Sequence, residues 1–147
     1  MTFVDASALL ALLLDEPGAP DVEGLLREGG VAMTSVNYAE VIDQALRVQR
    51  KSRAALARAL DPLTSIRALI ITDVSAATGV RAGELRAMHY DRRHRPLSMA
   101  DCILLAAASF DVAAVATSDQ LVADVACQVG LSVRGLPNSR GVRPSAL

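Results

Sequence analysis

The first fourteen residues constrain the fold more than any other part of the chain. Thr2 to Asp5 predicts a short buried strand whose last residue is a carboxylate, and the apolar run Leu9 to Leu14 predicts a helix directly after it. Open α/β sheets bind ligands in the crevice beyond the carboxyl ends of their strands, so we expect Asp5 to lie in such a crevice. A buried charge is normally paired or bound to a metal. The sequence therefore predicts that other functional groups meet Asp5 there.

Strands and helices alternate along the rest of the chain. Further strands are expected at 31–33, 69–71, 112–117 and 131–133, and helices at 21–28, 36–50, 52–61, 75–90, 102–110 and 119–128. This alternation predicts an α/β fold, a three-layer α/β/α sandwich with a mainly parallel central sheet. The length of 147 residues is that of one domain. We expect it to span 1–134, followed by a loosely held tail at 135–147 that is rich in Pro, Gly, Ser and Arg.

The charge distribution favours a polyanionic substrate. The net charge is only −1, but Arg47 to Arg58 contains five cations and no acid, and Arg81 to Arg95 contains five arginines against two acids. An acidic centre flanked by basic stretches suits a polyanion bound by arginine and processed at a metal. Solvated helix faces would explain either basic stretch equally well. The candidate RNA-binding residues are Arg47, Arg50, Lys51, Arg92, Arg93 and Arg95.

The two cysteines and the apolar runs indicate a cytoplasmic location. Cys102 and Cys127 lie in apolar surroundings without metal-ligand spacing, as expected of core residues in a reducing compartment. The apolar run after Asp5 lacks the positive segment that precedes a signal-peptide core. No run approaches the roughly 18 apolar residues of a membrane span.

Four acids are candidate site residues, and each has a structural explanation as well. Asp5 and Asp119 follow predicted strands, where an aspartate commonly caps the next helix. Asp101 stands three residues after Ser98, which is the capping-box spacing. Glu40 lies at the margin of an apolar helix stripe, where it could be an ordinary solvated side chain. Nearby Asp43 is better explained as the i,i+4 partner of Arg47.

Taken together, the four acids indicate a metal site. Carboxylates that converge in a crevice raise one another's pKa unless a cation neutralises them. Oxygen ligands without His or Cys favour Mg²⁺ or Mn²⁺ over zinc. The hydroxyls of Ser7, Thr117 and Ser118 could hydrogen-bond a carboxylate or a metal-bound water, or simply cap helices. His89 and His94 lie in a charged segment and are expected at the surface.

Four segments resemble, in order and spacing, the acidic motifs of PIN-domain ribonucleases, and most closely those of VapC toxins. They are Phe3-Val4-Asp5-Ala6-Ser7-Ala8-Leu9, Ser35-Val36-Asn37-Tyr38-Ala39-Glu40-Val41, Leu97-Ser98-Met99-Ala100-Asp101-Cys102 and Ala116-Thr117-Ser118-Asp119. The similarity extends to about Val133. It implies a PIN-like fold, RNA cleavage dependent on Mg²⁺ or Mn²⁺, homodimerisation, and inhibition by a cognate antitoxin. It also implies that Asp5, Glu40, Asp101 and Asp119 are the metal-binding and catalytic quartet. The loop from Arg92 to Arg95 matches no feature of the family.

Other classes of protein fit the sequence less well. Phospho-acceptor receivers and haloacid-dehalogenase-like phosphatases also place aspartates at strand ends, but they use a lysine near the phosphoryl group, and the only lysine, Lys51, follows no strand. A dinucleotide-binding module would need a glycine-rich turn after the first strand, which is absent. The remaining alternative is a PIN-like scaffold that binds a protein or RNA without cutting it.

Overall fold

The computed structural model describes residues 1–145, and Ala146 and Leu147 of the expected tail lie outside the described residues. The strands are β1 (Thr2–Val4), β2 (Val31–Thr34), β3 (Leu69–Thr72), β4 (Ala114–Thr117) and β5 (Val133–Gly135). The helices are α1 (Ala6–Leu14), α2 (Ala19–Glu28), α3 (Ser35–Asp43), α4 (Arg53–Ser65), α5 (Ala76–His89), α6 (Met99–Phe110) and α7 (Gln120–Gln128). A π-helical segment, Gln44–Val48, continues α3.

The five strands form one parallel sheet in the order β3-β2-β1-β4-β5. The chain builds outward from β1 to β3 on one side and then crosses over to add β4 and β5 on the other. The strand order therefore reverses between β1 and β4, and the crevice at the carboxyl ends of these two strands is the switch point where such sheets bind ligands.

Helices cover both faces of the sheet, because successive strand residues point to opposite sides. Phe3 packs with residues of α5, α6 and α7, whereas its neighbour Val4 packs with residues of α1 to α4. Both side chains are fully buried. The predicted three-layer α/β/α sandwich with a parallel central sheet is confirmed.

Several element boundaries differ from those expected, including the starts of α2 and α6 and the position of β5, and three of the differences have a clear physical reason. Helix α4 continues through Pro62 to Ser65, because the carbonyl that loses its hydrogen bond belongs to exposed Arg58 and can be hydrated. Helix α3 ends at Asp43, where the π-helical segment takes over. Strand β4 begins at Ala114 because Val112 is exposed and adopts a left-handed backbone conformation with φ 48°.

The described part of the tail is packed rather than loose. Leu136 and Pro137 are buried, and the Arg143 guanidinium lies 2.7 Å from a carboxylate oxygen of Asp21 on α2. The composition of the tail suggested mobility, whereas its ion pair and its buried apolar residues fix it against the domain. Within residues 1–145, no helix combines the length and apolar character needed to cross a membrane.

Candidate metal centre

The fold brings the four predicted acids to the carboxyl edge of the sheet. Asp5 lies between β1 and α1, and Asp119 lies between β4 and α7, so the two flank the switch point. Asp101 is in the first turn of α6, and Glu40 is in the middle of α3, the helix that follows β2. All four side chains therefore project from elements that begin at the same edge.

Asp5 is the buried member of the group, with 5% of its surface exposed. Its Oδ1 accepts hydrogen bonds from Ser7 Oγ at 2.6 Å and from the backbone N–H of Ala8 at 3.1 Å. Its Oδ2 accepts a short hydrogen bond from the hydroxyl of Thr117. Donors on both oxygens fix the orientation of this carboxylate.

The predicted supporting hydroxyls connect the ends of β1 and β4. Thr117 donates to Asp5 while its Oγ1 accepts from the backbone N–H of Asp119 at 3.0 Å. Ser7 Oγ lies 2.9 Å from Ser118 Oγ. The three hydroxyls therefore hold the turn after β4 against the start of α1.

Capping of helices is observed for all three aspartates. Asp5 caps α1, Asp119 caps α7 by accepting from the N–H of Leu121 at 2.7 Å, and Asp101 completes a capping box with Ser98. The capping uses only Oδ2 of Asp101 and Oδ1 of Asp119. Among residues 1–145, no donor contacts Oδ1 of Asp101, Oδ2 of Asp119 or Oε2 of Glu40. Each of these acids keeps one oxygen available for a ligand.

The carboxylates are linked electrostatically. Burial raises the pKa of Asp5, against the hydrogen bonds from Ser7, Thr117 and Ala8 that lower it, and the charge of Asp101 raises it further. Burial also raises the pKa of Glu40, with added repulsion from Asp101 and Asp5. The pKa of Asp101 is raised by burial, opposed by its bonds to Ser98, and raised again by Asp119. Each acid thus lies within the field of at least one other.

The donor chemistry of the site fits a hard divalent cation. The available groups are carboxylate and hydroxyl oxygens, which suit Mg²⁺ or Mn²⁺. Within the described chain, no three His, Cys, Asp or Glu side chains are close enough to hold one ion together. Mg²⁺ is usually held by one or two carboxylates and keeps several waters. Asp5 with one of its neighbours could hold such an ion, with the other acids reached through water.

The first basic stretch lies beyond Glu40 on the same helical segment. Arg47 forms a forked ion pair with Asp43, with one N–O distance of 2.7 Å, as the i,i+4 spacing predicted. Arg50 follows the π-helical segment, with an exposed side chain and a left-handed backbone, and Lys51 is partly buried. Arg50 and Lys51 therefore lie past the end of the helical segment that carries Glu40.

The second basic stretch is an ordered loop. Asp91 pairs with Arg95 through the backbone, and its carboxylate accepts from the backbone N–H groups of Arg93 and His94. Arg95 donates to Gln128 on α7 at 2.9 Å, whereas Arg92 and Arg93 are exposed. The expectation that His94 is a surface residue is confirmed.

His89 departs from the expectation that it lies at the surface. It is partly buried, and its Nε2 is buried without a partner among the described residues. Burial lowers its pKa, and Arg95 and Arg81 lower it further. Its imidazole therefore resists protonation.

Sequence reasoning did not single out Asn37. It is fully buried, its Oδ1 accepts from the hydroxyl of Thr34 at 2.5 Å, and its Nδ2 has no partner within the described chain. Asn37 lies three residues before Glu40 on α3, and thus on nearly the same helix face. The sequence did contain a signal for it, because Asn37 is an amide on an otherwise apolar ridge of the helix, one turn before Glu40.

The fold and the position of the acids define a class: an α/β/α domain with carboxylates at the switch point of a parallel sheet. A family model described as "PIN domain" matches residues 2–126. The chain therefore belongs to the PIN-domain family. No curated protein matches the chain.

Several solved structures share this fold at low sequence identity. A toxin–antitoxin complex from Klebsiella pneumoniae is 19% identical with a TM-score of 0.61, over 82% of this chain and 88% of that one. VapC20 of Mycobacterium tuberculosis, described as a sarcin-ricin loop cleaving toxin, is 22% identical with a TM-score of 0.61. The match covers 77% of this chain and 85% of that one. VapBC2 of Rickettsia felis, bound to a DNA fragment from its promoter, is 16% identical with a TM-score of 0.63. The match covers 92% of this chain and 98% of that one.

Proposed function

We propose that this protein is a divalent-metal-dependent endoribonuclease that acts as the toxin of a toxin–antitoxin pair. The observation that supports this most strongly is that Asp5, Glu40, Asp101 and Asp119 lie at the carboxyl edge of the sheet, where neighbouring acids raise the pKa of the first three. Like charges so arranged are costly unless a cation joins them. Membership of the PIN-domain family and the toxins among its structural neighbours support the same function.

In this proposal the three aspartates bind the metal and Glu40 acts on the attacking water. Asp5, Asp101 and Asp119 hold Mg²⁺ or Mn²⁺ directly or through water, and Asp5 is fixed in orientation by Ser7 and Thr117. The ion, when bound, lowers the pKa of a water and offsets charge on the phosphoryl group. Glu40 orients the attacking water and accepts its proton, since a raised pKa makes a glutamate a better base near neutral pH.

The basic stretches would bind the RNA backbone. Arg92 and Arg93 are exposed and rigidly presented by the Asp91 turn, which makes them stronger candidates than Arg47, whose charge is already paired with Asp43. Contacts of this kind supply salt-dependent affinity and orientation rather than sequence choice. A cognate antitoxin is the expected partner, because structural neighbours from Klebsiella and Rickettsia are toxin–antitoxin complexes.

A catalytically silent PIN-like scaffold that binds protein or RNA is the second candidate. The observation that favours it is that no three acids within residues 1–145 lie close enough to share an ion. A scaffold would retain the fold and the basic loop but not cleave RNA.

An RNA cleavage assay separates the two candidates. Purified protein is incubated with structured RNAs in Mn²⁺, in Mg²⁺ and in EDTA. We expect cleavage with either metal and none in EDTA, and loss of cleavage in Asp5→Asn and Glu40→Gln. Glu23→Gln, an exposed acid on α2 paired with Arg27, is the matched control and should cleave normally. Cleavage that persists in EDTA or in Asp5→Asn would reject the proposed nuclease, and absence of cleavage under all conditions would favour the scaffold.

A further inference from the structure

The segment Leu136–Ser145, here called the C-terminal strap, contacts both ends of the turn that carries Asp119. It begins where β5 ends and passes the loop between α1 and α2. The carbonyl oxygen of Pro137 lies so close to Gly18 that a Cβ added at Gly18 would stand 2.7 Å from it. A glycine is therefore required at Gly18 for the strap to pack as it does.

The start of the strap is bonded to the end of β4. The N–H of Leu136 donates to the carbonyl of Thr117 at 2.8 Å, and the Leu136 side chain is buried in the core beside α1 and α2. Thr117 is the residue that donates to Asp5 and accepts from the N–H of Asp119. The strap therefore contacts the residue that connects two of the four acids.

Arg143 anchors the middle of the strap. Its Nη1 donates to the carbonyl of Gly135 at 2.6 Å, and its Nη2 donates to a carboxylate oxygen of Asp21 at 2.7 Å. One guanidinium thus ties the strap both to the edge strand β5 and to helix α2. A planar fork of this kind fixes geometry as well as adding energy.

The end of the strap is bonded to the first residue of α7. The backbone N–H and the hydroxyl of Ser145 both donate to Gln120 Oε1, at 2.7 and 3.0 Å. Gln120 in turn donates to Asp124 at 2.8 Å. Gln120 directly follows Asp119, so the two ends of the strap bracket the four residues Thr117 to Gln120.

We propose that the C-terminal strap positions the Thr117–Gln120 turn, and that Arg143, Ser145 and Gln120 are positioning residues for Asp119. The argument is geometric. Asp119 is exposed and its carboxylate is bonded only to amides of its own helix within the described chain, so the direction of its free oxygen depends on where this turn lies. Besides the bonds of Ser7 and Thr117 and the pairing of β4 with β1 and β5, the strap bonds both ends of that turn, at Thr117 and at Gln120. The consequence for metal binding rests on the proposed function.

The test compares two arginines of the strap. Arg143→Met removes the anchor, while Arg140→Met is the matched control, since the Arg140 side chain makes no hydrogen bond or ion pair among the described residues. Arg143→Lys retains the charge opposite Asp21 and should restore part of the effect. The readouts are Mn²⁺ affinity by calorimetry, hydrogen exchange of the amides from Asp119 to Val122, and thermal unfolding.

A thiol probe reports directly on the strap. The expectation that Cys127 is a core residue is wrong, because it is exposed on α7 and lines a cavity of about 400 Å³ together with Pro144 and Ser145. Cys102 is buried, and burial raises the pKa of its thiol to about 11, so it does not compete for the reagent. Release of the strap in Arg143→Met should therefore change the alkylation rate of Cys127 relative to Arg140→Met, and an equal rate in the two variants would show that the strap is not released.

The expected result for Arg143→Met is Mn²⁺ affinity about tenfold weaker, the lower end of the loss seen when outer support of a metal site is removed. We also expect faster exchange at Asp119 to Val122, partly corrected in Arg143→Lys. Exchange and affinity equal to those of Arg140→Met would overturn the positioning role, even if the unfolding midpoint fell. If the wild type binds no Mn²⁺, the proposed function fails, and hydrogen exchange alone then decides the role of the strap.

Discussion

At the scale of single residues, each aspartate of the site serves two purposes. Asp5, Asp101 and Asp119 cap helices, and capping used one oxygen of Asp101 and one of Asp119. A helix N-terminus favours negative charge, so capping helps to hold ionised carboxylates together. The structural and functional explanations of these residues are therefore compatible.

Replacement of Asp101 should separate stability from metal binding. In Asp101→Asn the amide oxygen can still accept the hydrogen bonds from Ser98, and the amide nitrogen takes the place of the other carboxylate oxygen. The substitution also removes the repulsion with Asp5, Glu40 and Asp119. We expect the metal-free variant to be more stable at pH 7 by about 1 kcal/mol, a typical gain when a functional site is relieved. Urea unfolding with and without Mn²⁺ measures both effects.

The stability of the metal-free protein should depend on pH through Asp101. Because the folded pKa of Asp101 is raised above its ordinary 3.8, the folded state binds more protons than the unfolded state in that window. The metal-free wild type should therefore lose stability as the pH rises from about 3.8 through the folded pKa, and Asp101→Asn should lose less. Equal pH profiles for the two proteins would contradict a pKa of Asp101 that is raised by burial and by the charge of Asp119.

Thr117 should matter more than its burial alone suggests. Thr117→Val leaves Oδ2 of Asp5 and the N–H of Asp119 without their partner, and an unsatisfied buried group costs about 1–3 kcal/mol. We expect that loss of stability together with weaker Mn²⁺ binding. Thr72→Val, at the end of β3, removes a hydroxyl bonded only to a backbone carbonyl and serves as the control. A Thr117 variant with unchanged Mn²⁺ affinity would show that Asp5 does not need this donor.

At the scale of elements, the loop between α5 and α6 is the most informative. Its arginines are held on a turn closed by Asp91, so they are presented in a fixed direction rather than on a mobile coil. Burial and nearby arginines also keep the pKa of His89 low. The loop is therefore a positively charged surface at neutral pH even without protonated histidine.

Replacing Arg92 and Arg93 with serine should weaken RNA binding in a salt-dependent way. Loss of two phosphate contacts is expected to lower the slope of log affinity against log salt by about 1 to 2. Filter binding of a catalytically inactive Glu40→Gln protein at several salt concentrations measures the slope. Replacing Arg27 and Arg140, exposed arginines outside both basic stretches, is the control. An unchanged slope in the Arg92/Arg93 variant would remove the loop from the RNA-binding surface.

The elements themselves followed from the sequence, but several of their boundaries did not. Strands and helices were predictable because apolar runs such as Leu69–Ile71 alternate with helical periodicity and with caps such as Ser52, Ser75 and Ser98. The continuation of α4 past Pro62 depends on the exposure of Arg58, and the start of β4 depends on the backbone of Val112. Both are tertiary effects without a local signal.

Part of the candidate site could likewise be predicted from the sequence, and part could not. Asp5 and Asp119 could be placed at one crevice from their positions after strands, whereas Asn37 and the strap could not. The burial of Asn37 and the bonds from Arg143 and Ser145 arise from contacts between segments far apart in the chain. Composition made the tail look mobile, while two of its polar side chains fasten it.

At the scale of the whole molecule, exposed apolar side chains support a homodimer. Val80 and Met88 on α5, Phe110 at the end of α6 and Val112 after it are all more than half exposed. Exposed apolar side chains on these two helices are candidates for a contact with a second copy of the chain. We predict a dimer in light scattering at micromolar concentration, which Met88→Lys should weaken. A monomer in both the wild type and the variant would contradict this prediction.

The central claim is that four carboxylates from β1, α3, α6 and the β4–α7 turn form one divalent-metal site. Calorimetric titration of Mn²⁺ into the wild type, Asp5→Asn, Glu40→Gln, Asp101→Asn, Asp119→Asn and the Glu23→Gln control tests it most directly. We predict saturable binding to the wild type and the control, and an affinity lowered at least about tenfold in each of the four site variants. Binding of equal strength in the wild type and all four variants would show that these carboxylates do not share a metal.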